Sequence, residues 1–338
     1  MIHIPYSVLD LAVVTEGNSI REAIQTSREL AVHVEELGYS RFWMAEHHNM
    51  ENIASSATSV LLGYVAEATK IIQVGSGGVM LPNHSPLIIA EQFGTLATIY
   101  PKRIDLGLGR APGTDQVTAN AIREDRMKEV QRFPENVKRL QTYFSSENNG
   151  NRVRAIPGEG TNVPIWILGS STDSAHLAAE LGLPYVFASH FAPQQLIPAL
   201  RIYRNQFKPS KQLDEPYVMS CVNIILADSD QQAKYLSTSM KQMMMGVVTG
   251  ERKPMPPPVD DMNTVWNIHH KMAVEQMLRY TFIGSPATVK VQVDDFIEMT
   301  GADELMIASY IYDKKERFKS YKLFADLMKE DVNEVGVG

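Results

Sequence analysis

The sequence has little of several features that define common protein classes. It contains one cysteine in 338 residues, Cys221, which excludes an intramolecular disulfide framework and a multi-cysteine zinc site. No apolar run approaches the roughly 18 residues of a membrane-spanning helix, and no basic segment followed by an apolar one marks a signal peptide. The net charge of −7 argues against a general nucleic-acid or anionic-membrane binder. We therefore expect a cytoplasmic protein that handles small molecules.

What the sequence does contain is an alternation of strand-like and helix-like segments. Each predicted strand is followed by a helical pattern. The predicted strands lie at residues 7–14, 41–45, 71–75, 103–108, 163–168, 185–188, 217–227 and 304–309. Such alternation predicts a parallel sheet, and eight units fit a closed (β/α)₈ TIM barrel better than an open sheet. The predicted fold class is α/β.

The length leaves two ordinary domains or one enlarged barrel open, and the count of units favours the barrel. We expect a single domain over residues 1–338, with insertions at the C-terminal face of the strands near 111–132, 145–162 and 246–280. The third insertion contains the proline-rich stretch 254–258. A long loop of this kind is either a mobile lid over the barrel mouth or an inert surface excursion.

Active sites of such barrels lie at the C-terminal ends of the strands, where polar residues are informative. The second predicted strand is followed by Glu46, His47 and His48. A carboxylate and two imidazoles can ligate a metal, act as acid and base, orient a substrate, or fill polar positions at the rim. No further metal ligand is evident nearby, so we expect no metal.

Glycines crowd the end of the third predicted strand, at Gly75, Gly77 and Gly78. Glycine weakens a strand, so a specific reason should offset the loss. Four explanations for these glycines stay open: close approach of a flat ligand, a bulge, unusual backbone geometry or a simple turn.

The fourth and fifth predicted strands end in residues suited to an anion. The segment 107–113 nearly matches a dinucleotide fingerprint, but Pro112 replaces the third glycine, so we reject that reading. Arg110 is better interpreted as an anion clamp. Ser170 and Ser171 precede a predicted helix, where hydroxyls and free amides bind phosphate or act as caps. Adjacent strands bring these residues together, which predicts one phosphate site.

Five motifs spread over the chain, at residues 7–11, 43–49, 74–82, 103–110 and 284–286, give it a family resemblance. The chain resembles the bacterial-luciferase-like superfamily of flavin-dependent monooxygenases, and within it the branch of uncharacterised luciferase-like proteins.

The resemblance implies a cofactor and roles for individual residues. His47 would assist reduced flavin and its oxygen adduct as the catalytic residue, next to Glu46 in the cofactor site. A non-prolyl cis peptide between Gly77 and Gly78 would lie beneath the flavin ring.

The resemblance also assigns the phosphate site and the chemistry. Arg110, Ser170 and Ser171 would bind the phosphate of FMN. A separate NAD(P)H-flavin reductase would supply reduced FMN, whose C4a-peroxide would oxygenate a small organic substrate. Two alternatives stay open: deazaflavin-dependent hydride transfer on the same fold, and a non-catalytic flavin-binding protein. A homodimer packed through the helices after strands 2 and 3 is expected.

Overall fold

The computed structural model describes residues 4–334, with nine strands and twelve α-helices in that range. The strands are β1 (Tyr6–Asp10), β2 (Arg41–Met44), β3 (Gln73–Met80), β4 (Ile104–Gly109), β5 (Ile165–Gly169), β6 (Tyr185–Phe187), β7 (Val218–Leu226), β8 (Thr281–Gly284) and β9 (Glu304–Ala308). The helices are α1 (Ile20–Glu36), α2 (Thr58–Ala68), α3 (Pro86–Ile99), α4 (Gln116–Ile122), α5 (Arg126–Gln131), α6 (Phe133–Phe144), α7 (Thr172–Leu181), α8 (Leu196–Gln206), α9 (Asp230–Thr249), α10 (Ile268–Met277), α11 (Pro286–Thr300) and α12 (Lys314–Glu334). Within this range, no helix is both long and apolar enough to cross a bilayer.

Local signals explain where the clearest helices begin and end. At the start of α1, the Ser19 hydroxyl accepts from the Glu22 N–H, and the Glu22 carboxylate accepts from the Ser19 N–H, which forms a capping box. Helix α7 ends at Gly182, whose φ of 61° lies in the left-handed region that glycine tolerates best. The helices predicted at residues 20–37 and 172–181 are confirmed, because these signals are local.

Eight of the strands close into a parallel barrel. Strands β1 to β7 pair in chain order, β7 also pairs with β9, and β9 pairs with β1. Helices alternate with the strands, so the predicted (β/α)₈ TIM barrel is confirmed.

The ninth strand, β8, and the helix α11 that follows it were not among the predicted units. Asn223 of β7 pairs with Thr281 of β8 on one edge and with Ala308 of β9 on the other. The pairing of β6 with β7 ends at Ser220, and β8 pairs with the following part of the same edge of β7. With only four residues, β8 gives no clear period-2 pattern.

The prediction that the third strand ends at Gly75 is wrong. Strand β3 continues to Met80 through the glycines, and its pairing with β4 shifts register between Ser76 and Val79. Of the explanations left open for the glycines, two are observed: an irregularity in the strand pairing and unusual backbone geometry, a cis peptide bond between Gly77 and Gly78.

The predicted insertions contain regular structure of their own. Residues 111–132 hold α4 and α5, and 246–280 hold the end of α9 and all of α10. The segment 145–162 contains a single 3₁₀ turn at Ser146–Asn148.

Polar side chains fill the lower end of the barrel interior, where the strands begin. The Arg41 guanidinium lies 2.6 Å from Asp105 and 3.2 Å from Glu304, and the Tyr217 hydroxyl donates to Glu304 at 2.9 Å. The Arg41 guanidinium also lies 4.6 Å from the ring centroid of Trp166. The one guanidinium and the hydrogen bond from Tyr217 stabilise both buried carboxylates.

Candidate active site

The carboxyl ends of β2 to β6 lie side by side at the other end of the barrel, because these strands run parallel. The structure brings the predicted site residues to this end: Glu46 and His47 after β2, Gly77 and Gly78 within β3, Arg110 after β4, and Ser170 and Ser171 after β5.

Glu46 is buried and joins several segments through its carboxylate. It accepts hydrogen bonds from the Met80 N–H at 3.0 Å and from the Asn83 side-chain amide at 3.1 Å. The Nε2 atoms of His48 and His84 both lie 2.9 Å from Oε1 of Glu46. These donors hold the end of β2 to the segment after β3.

The same contacts decide the charge of Glu46. Burial alone would raise the pKa of its carboxyl, but hydrogen bonds from His48, His84 and the Met80 N–H lower that pKa to about 2. The carboxylate is therefore ionised at neutral pH, and protein donors surround it. That Glu46 contacts a cofactor stays a prediction. Its observed contacts are all with the protein, and they position the end of β2 against the end of β3.

A second polar link extends from Glu46 to the backbone at Arg110. Asn83, which donates to Glu46, also donates to the Pro112 carbonyl at 3.1 Å and accepts from Nε of Arg126 at 3.1 Å. The buried Arg126 then donates to the Arg110 carbonyl at 2.8 Å. Sequence reasoning missed Asn83, His84 and Arg126, because nothing in their spacing marks contacts that form only in the folded barrel.

His47 is half-buried, and its tautomer is set by a backbone contact. Its Nδ1 lies 3.3 Å from the Gly113 carbonyl oxygen, so Nδ1 carries a proton and donates. Burial and the positive charge of Arg252 lower the pKa of His47, against a smaller opposite effect of the Gly113 hydrogen bond. A neutral ring in this tautomer has its Nε2 lone pair available as an acceptor.

The peptide bond between Gly77 and Gly78 is cis, as the resemblance implies. Protein atoms approach both glycines closely. A Cβ at Gly77 would lie 2.6 Å from Cδ1 of Leu9, and one at Gly78 would lie 2.7 Å from the Gly107 carbonyl oxygen. Packing therefore requires glycine at Gly78, where the neighbour is backbone, whereas at Gly77 the end of the Leu9 side chain would have to move. The contact with a flavin ring stays a prediction.

Arg110 contacts the first turn of α7, as the neighbouring strand ends suggested. Its Nη2 lies 3.1 Å from Oδ2 of Asp173, and both side chains are largely exposed. Ser171 is the N-cap residue of α7, yet its hydroxyl makes no capping hydrogen bond. A guanidinium, a hydroxyl without a capping hydrogen bond and the start of a ten-residue helix thus lie together. The first amide of that helix, the Thr172 N–H, already donates to Oε1 of Gln195 at 3.0 Å.

A further polar residue, His190, follows the end of β6, and the sequence predictions did not include it. His190 follows β6 by three residues and is buried, and its Nδ1 has no hydrogen-bond partner among the described residues. Burial, together with a smaller effect of the nearby His47, lowers the pKa of His190 to about 3. Asn223 of β7 donates to the His190 carbonyl at 2.6 Å and fixes the backbone there.

The insertion 246–280 is attached to the rim through its proline-rich stretch. The Met255 N–H donates to the Val14 carbonyl at 2.9 Å, and the Glu16 N–H donates to the Met255 carbonyl at 2.8 Å. A cavity of about 420 Å³ lies beside this contact, and another of about 340 Å³ lies between the start of α1 and the segment after β9. Neither cavity contains a predicted site residue.

Comparison with known proteins agrees with the motifs. The sequence model described as "Luciferase-like monooxygenase" matches residues 5–304. A Bacillus subtilis protein, "Uncharacterized protein YvbT", is 52% identical over 96% of both chains. An Escherichia coli "Luciferase-like monooxygenase" is 49% identical over 97% of this chain and 98% of its own. The solved structure of apo-MsnO8 is 33% identical, covers 97% of this chain and 99% of its own, and has a TM-score of 0.86.

More distant structures share the fold and differ in cofactor. The oxygenating constituent of 3,6-diketocamphane monooxygenase from Pseudomonas putida, solved with FMN, is 18% identical over 96% of this chain and 97% of its own, with a TM-score of 0.71. An F420-dependent secondary alcohol dehydrogenase is 15% identical over 97% of this chain and 100% of its own, also with a TM-score of 0.71. The match over residues 5–304, together with the two bacterial relatives, shows that the chain belongs to the luciferase-like monooxygenase family.

Proposed function

We propose that the chain is an FMN-dependent monooxygenase that takes reduced FMN from a separate NAD(P)H-flavin reductase and oxygenates a small organic substrate. The observation that carries the proposal is the contact between Arg110 and the first turn of α7, where the Ser171 hydroxyl is unused. These groups are donors of the type that binds a phosphate, and Arg110 supplies a positive charge. Ser170, exposed beside Ser171, extends the same donor set.

Reduced FMN, when bound, would supply two electrons to dioxygen, so that one oxygen atom goes to the substrate and the other to water. The chain itself would orient and shield the reactants. His47, neutral with a proton on Nδ1, would accept or return a proton at Nε2. Glu46 would hold the His47 segment against the end of β3. The apolar side chains inside the barrel, such as Leu9 and Trp43, would exclude water.

A deazaflavin-dependent hydride transfer is the second candidate, since an F420-dependent enzyme shares the fold at the same TM-score as the FMN-bound structure. A non-catalytic flavin-binding protein is the third. The joint presence of His47, Arg110 and Ser171 at one end of the barrel favours an enzyme over that third candidate.

We also propose a cytoplasmic homodimer packed through α2 and α3. Large apolar side chains are exposed on these helices at Val60, Tyr64 and Ile88, with exposed fractions of 70%, 42% and 47%. A second copy of the chain would cover them. The mass found by sedimentation equilibrium tests this assembly.

Substitution of Arg110 and His47 should separate cofactor binding from chemistry. Arg110→Ala should weaken FMN binding by about 1.5–3 kcal/mol, the value of a hydrogen bond to a charged group, whereas His47→Ala should leave FMN binding mostly unchanged and lower the yield of oxygenated product. Fluorescence titration with FMN and with a deazaflavin measures the first effect, and a product assay with a flavin reductase measures the second.

Arg139→Ala serves as the control, because Arg139 is an exposed arginine paired with Glu135 away from the site. Equal losses of FMN affinity in the Arg110 and His47 variants would contradict the assigned roles. Tight deazaflavin binding without FMN binding would favour the second candidate.

Asp173 competes with a phosphate for Arg110, so its removal should have the opposite effect. Asp173→Asn should tighten FMN binding by up to about 5-fold, because an exposed ion pair is worth up to about 1 kcal/mol and a like charge near the phosphate is lost. The same titration measures this change, with Glu180→Gln at the far end of α7 as the matched control. Weaker FMN binding in Asp173→Asn would show that Asp173 supports the site.

A further inference from the structure

The cavity of about 340 Å³ lies at the rim of the barrel and is separate from the candidate active site. Residues 13–18 after β1, residues 309–317 after β9, the first half of α1 and Met255 of the insertion line it. Its volume is that of a small-molecule site. Among the described residues that line it, none is assigned to FMN or to the proposed reaction. A ligand in this cavity would therefore be a second ligand.

Ser309 lies in the wall of this cavity with an unsatisfied hydroxyl. The residue is 1% exposed, and its Oγ has no hydrogen-bond partner within residues 4–334. Buried hydroxyls are normally paired, so this one needs an explanation. The Ser309 carbonyl, in contrast, accepts from Nε of Arg317 at 2.8 Å. A ligand atom in the cavity would satisfy the hydroxyl.

The two cations of the cavity wall are already paired with carboxylates. Nη2 of Arg317 lies 2.6 Å from Oδ1 of Asp10, which is fully buried. Lys314 forms an ion pair with Glu29. An anion that entered the cavity would have to compete with these carboxylates for both cations, so the pairing disfavours an anionic ligand.

Two further carboxylates of the wall, those of Glu22 and Asp313, form no ion pair in the described part of the chain. Each caps a helix instead. Glu22 accepts from the Ser19 N–H at 2.7 Å at the start of α1, and Asp313 accepts from the Glu316 N–H at 3.0 Å at the start of α12. The positive end of each helix dipole offsets only about half a charge, so this part of the wall stays negative.

Apolar and aromatic groups complete the lining beside these polar ones. They come from Val13, Ala23, Tyr310, Tyr312 and Met255. Such walls accommodate a short alkyl chain, and aromatic rings also attract an ammonium group. Because Met255 belongs to the insertion, a ligand here would contact the insertion and the barrel rim together.

We propose that this cavity binds a small organic ammonium ion, with an N–H group donating to the Ser309 hydroxyl and the positive charge facing Glu22 and Asp313. A primary ammonium combines a positive charge with N–H donors. An alcohol lacks the charge, a quaternary ammonium lacks the donors, and a carboxylate has the opposite charge. The cavity shares no residue with the phosphate site, so the proposal does not depend on FMN.

The test is calorimetric titration of the full chain with butylammonium, 1-butanol, butyrate and tetramethylammonium. Butylammonium should bind about 5-fold or more tightly than 1-butanol, because it adds an ion pair. Butyrate should bind more weakly than 1-butanol. Tetramethylammonium should bind more weakly than butylammonium, because it has no hydrogen for the Ser309 hydroxyl to accept.

Variants of the wall separate the hydroxyl from the charges. Ser309→Ala should weaken butylammonium binding by about 10-fold and leave tetramethylammonium binding unchanged. The double variant Glu22→Gln/Asp313→Asn should abolish the preference for butylammonium over 1-butanol, whereas its amides retain the capping hydrogen bonds. Glu36→Gln is the matched control, because Glu36 is an exposed glutamate at the far end of α1.

Hydrogen–deuterium exchange locates the bound cation. Butylammonium should slow exchange in peptides that cover residues 13–18 and 309–317, and protection of other segments alone would overturn the proposal. So would equal binding of butylammonium and 1-butanol, tetramethylammonium binding as tight as that of butylammonium, or an unchanged butylammonium affinity in either variant. If Ser309→Ala does not fold, the double variant and the four probes on the wild type decide.

Discussion

Replacing Glu46 by alanine is expected to lower the free energy of unfolding by about 3 kcal/mol, because a hydrogen bond to a charged group is worth about 1.5–3 kcal/mol and several buried donors lose their acceptor. The side chain is 2% exposed, and its loss leaves the Met80 N–H, the Asn83 amide and the donors of two histidines without their acceptor. Urea denaturation followed by circular dichroism measures the change. Glu67→Ala is the control, because Glu67 also accepts a side-chain hydrogen bond, from Tyr100, but at the exposed surface.

The acid sensitivity of this contribution has a definite sign. The pKa of Glu46 in the folded chain is about 2, below its ordinary value of 4.5. Its stabilisation is therefore fully present above pH 4.5 and is lost as the pH falls towards 2. Glu46→Ala should show a weaker dependence of stability on pH in this range, and an unchanged dependence would show that the carboxylate is not held as described.

His190 should give the second large effect, at a higher pH. The ordinary histidine pKa is 6.5, and in the folded chain the pKa of His190 is about 3. Between these values the unfolded chain binds a proton that the folded chain does not, so stability falls as the pH is lowered. From pH 6.5 to 4.5 the expected loss attributable to His190 is about 2–3 kcal/mol, and down to pH 3 it is roughly 4 kcal/mol.

His190→Phe should flatten this part of the stability curve, since a ring of similar shape that does not titrate replaces the imidazole. Denaturant titrations at several values between pH 7.5 and pH 4.5 measure it, and His190→Gln provides a second variant. His176→Phe is the control, because His176 is exposed on α7. The pKa of His47 is also lowered, so part of the slope persists in the variant. A slope identical to that of the wild type would contradict the buried, neutral state of His190.

The barrel was predictable because its signals are local and repeated. Apolar runs, helical spacing and the ends of α1 and α7 depend on residues close together in the sequence. The short strand β8 was not predictable, because its four residues form no recognisable hydrophobic pattern and only the pairing with β7 defines the strand. The predicted third strand ends too early for a similar reason. Residues of β1 and β4 lie close to Gly77 and Gly78, and these contacts between strands cannot be recognised in the sequence.

For the candidate site, the sequence indicated the residues but not the partners. Arg110 and the start of α7 were expected together, and the structure brings them into contact through Asp173, which no spacing suggested. The link from Glu46 through Asn83 to Arg126 joins pairs of residues that are 37 and 43 positions apart, and only the fold brings them together. His190 follows the end of β6, so the strand-end rule would have indicated it, but its burial and its Nδ1, unpaired among the described residues, are visible only in the fold.

The charged cluster at the lower end of the barrel has a kinetic consequence. Because Arg41, Asp105 and Glu304, together with the ring of Trp166, fill the end where the strands begin, a ligand of the candidate site reaches it from the opposite end, where the strands stop. The loops at that end therefore control how fast ligands exchange, and their sequence can change without disturbing the barrel.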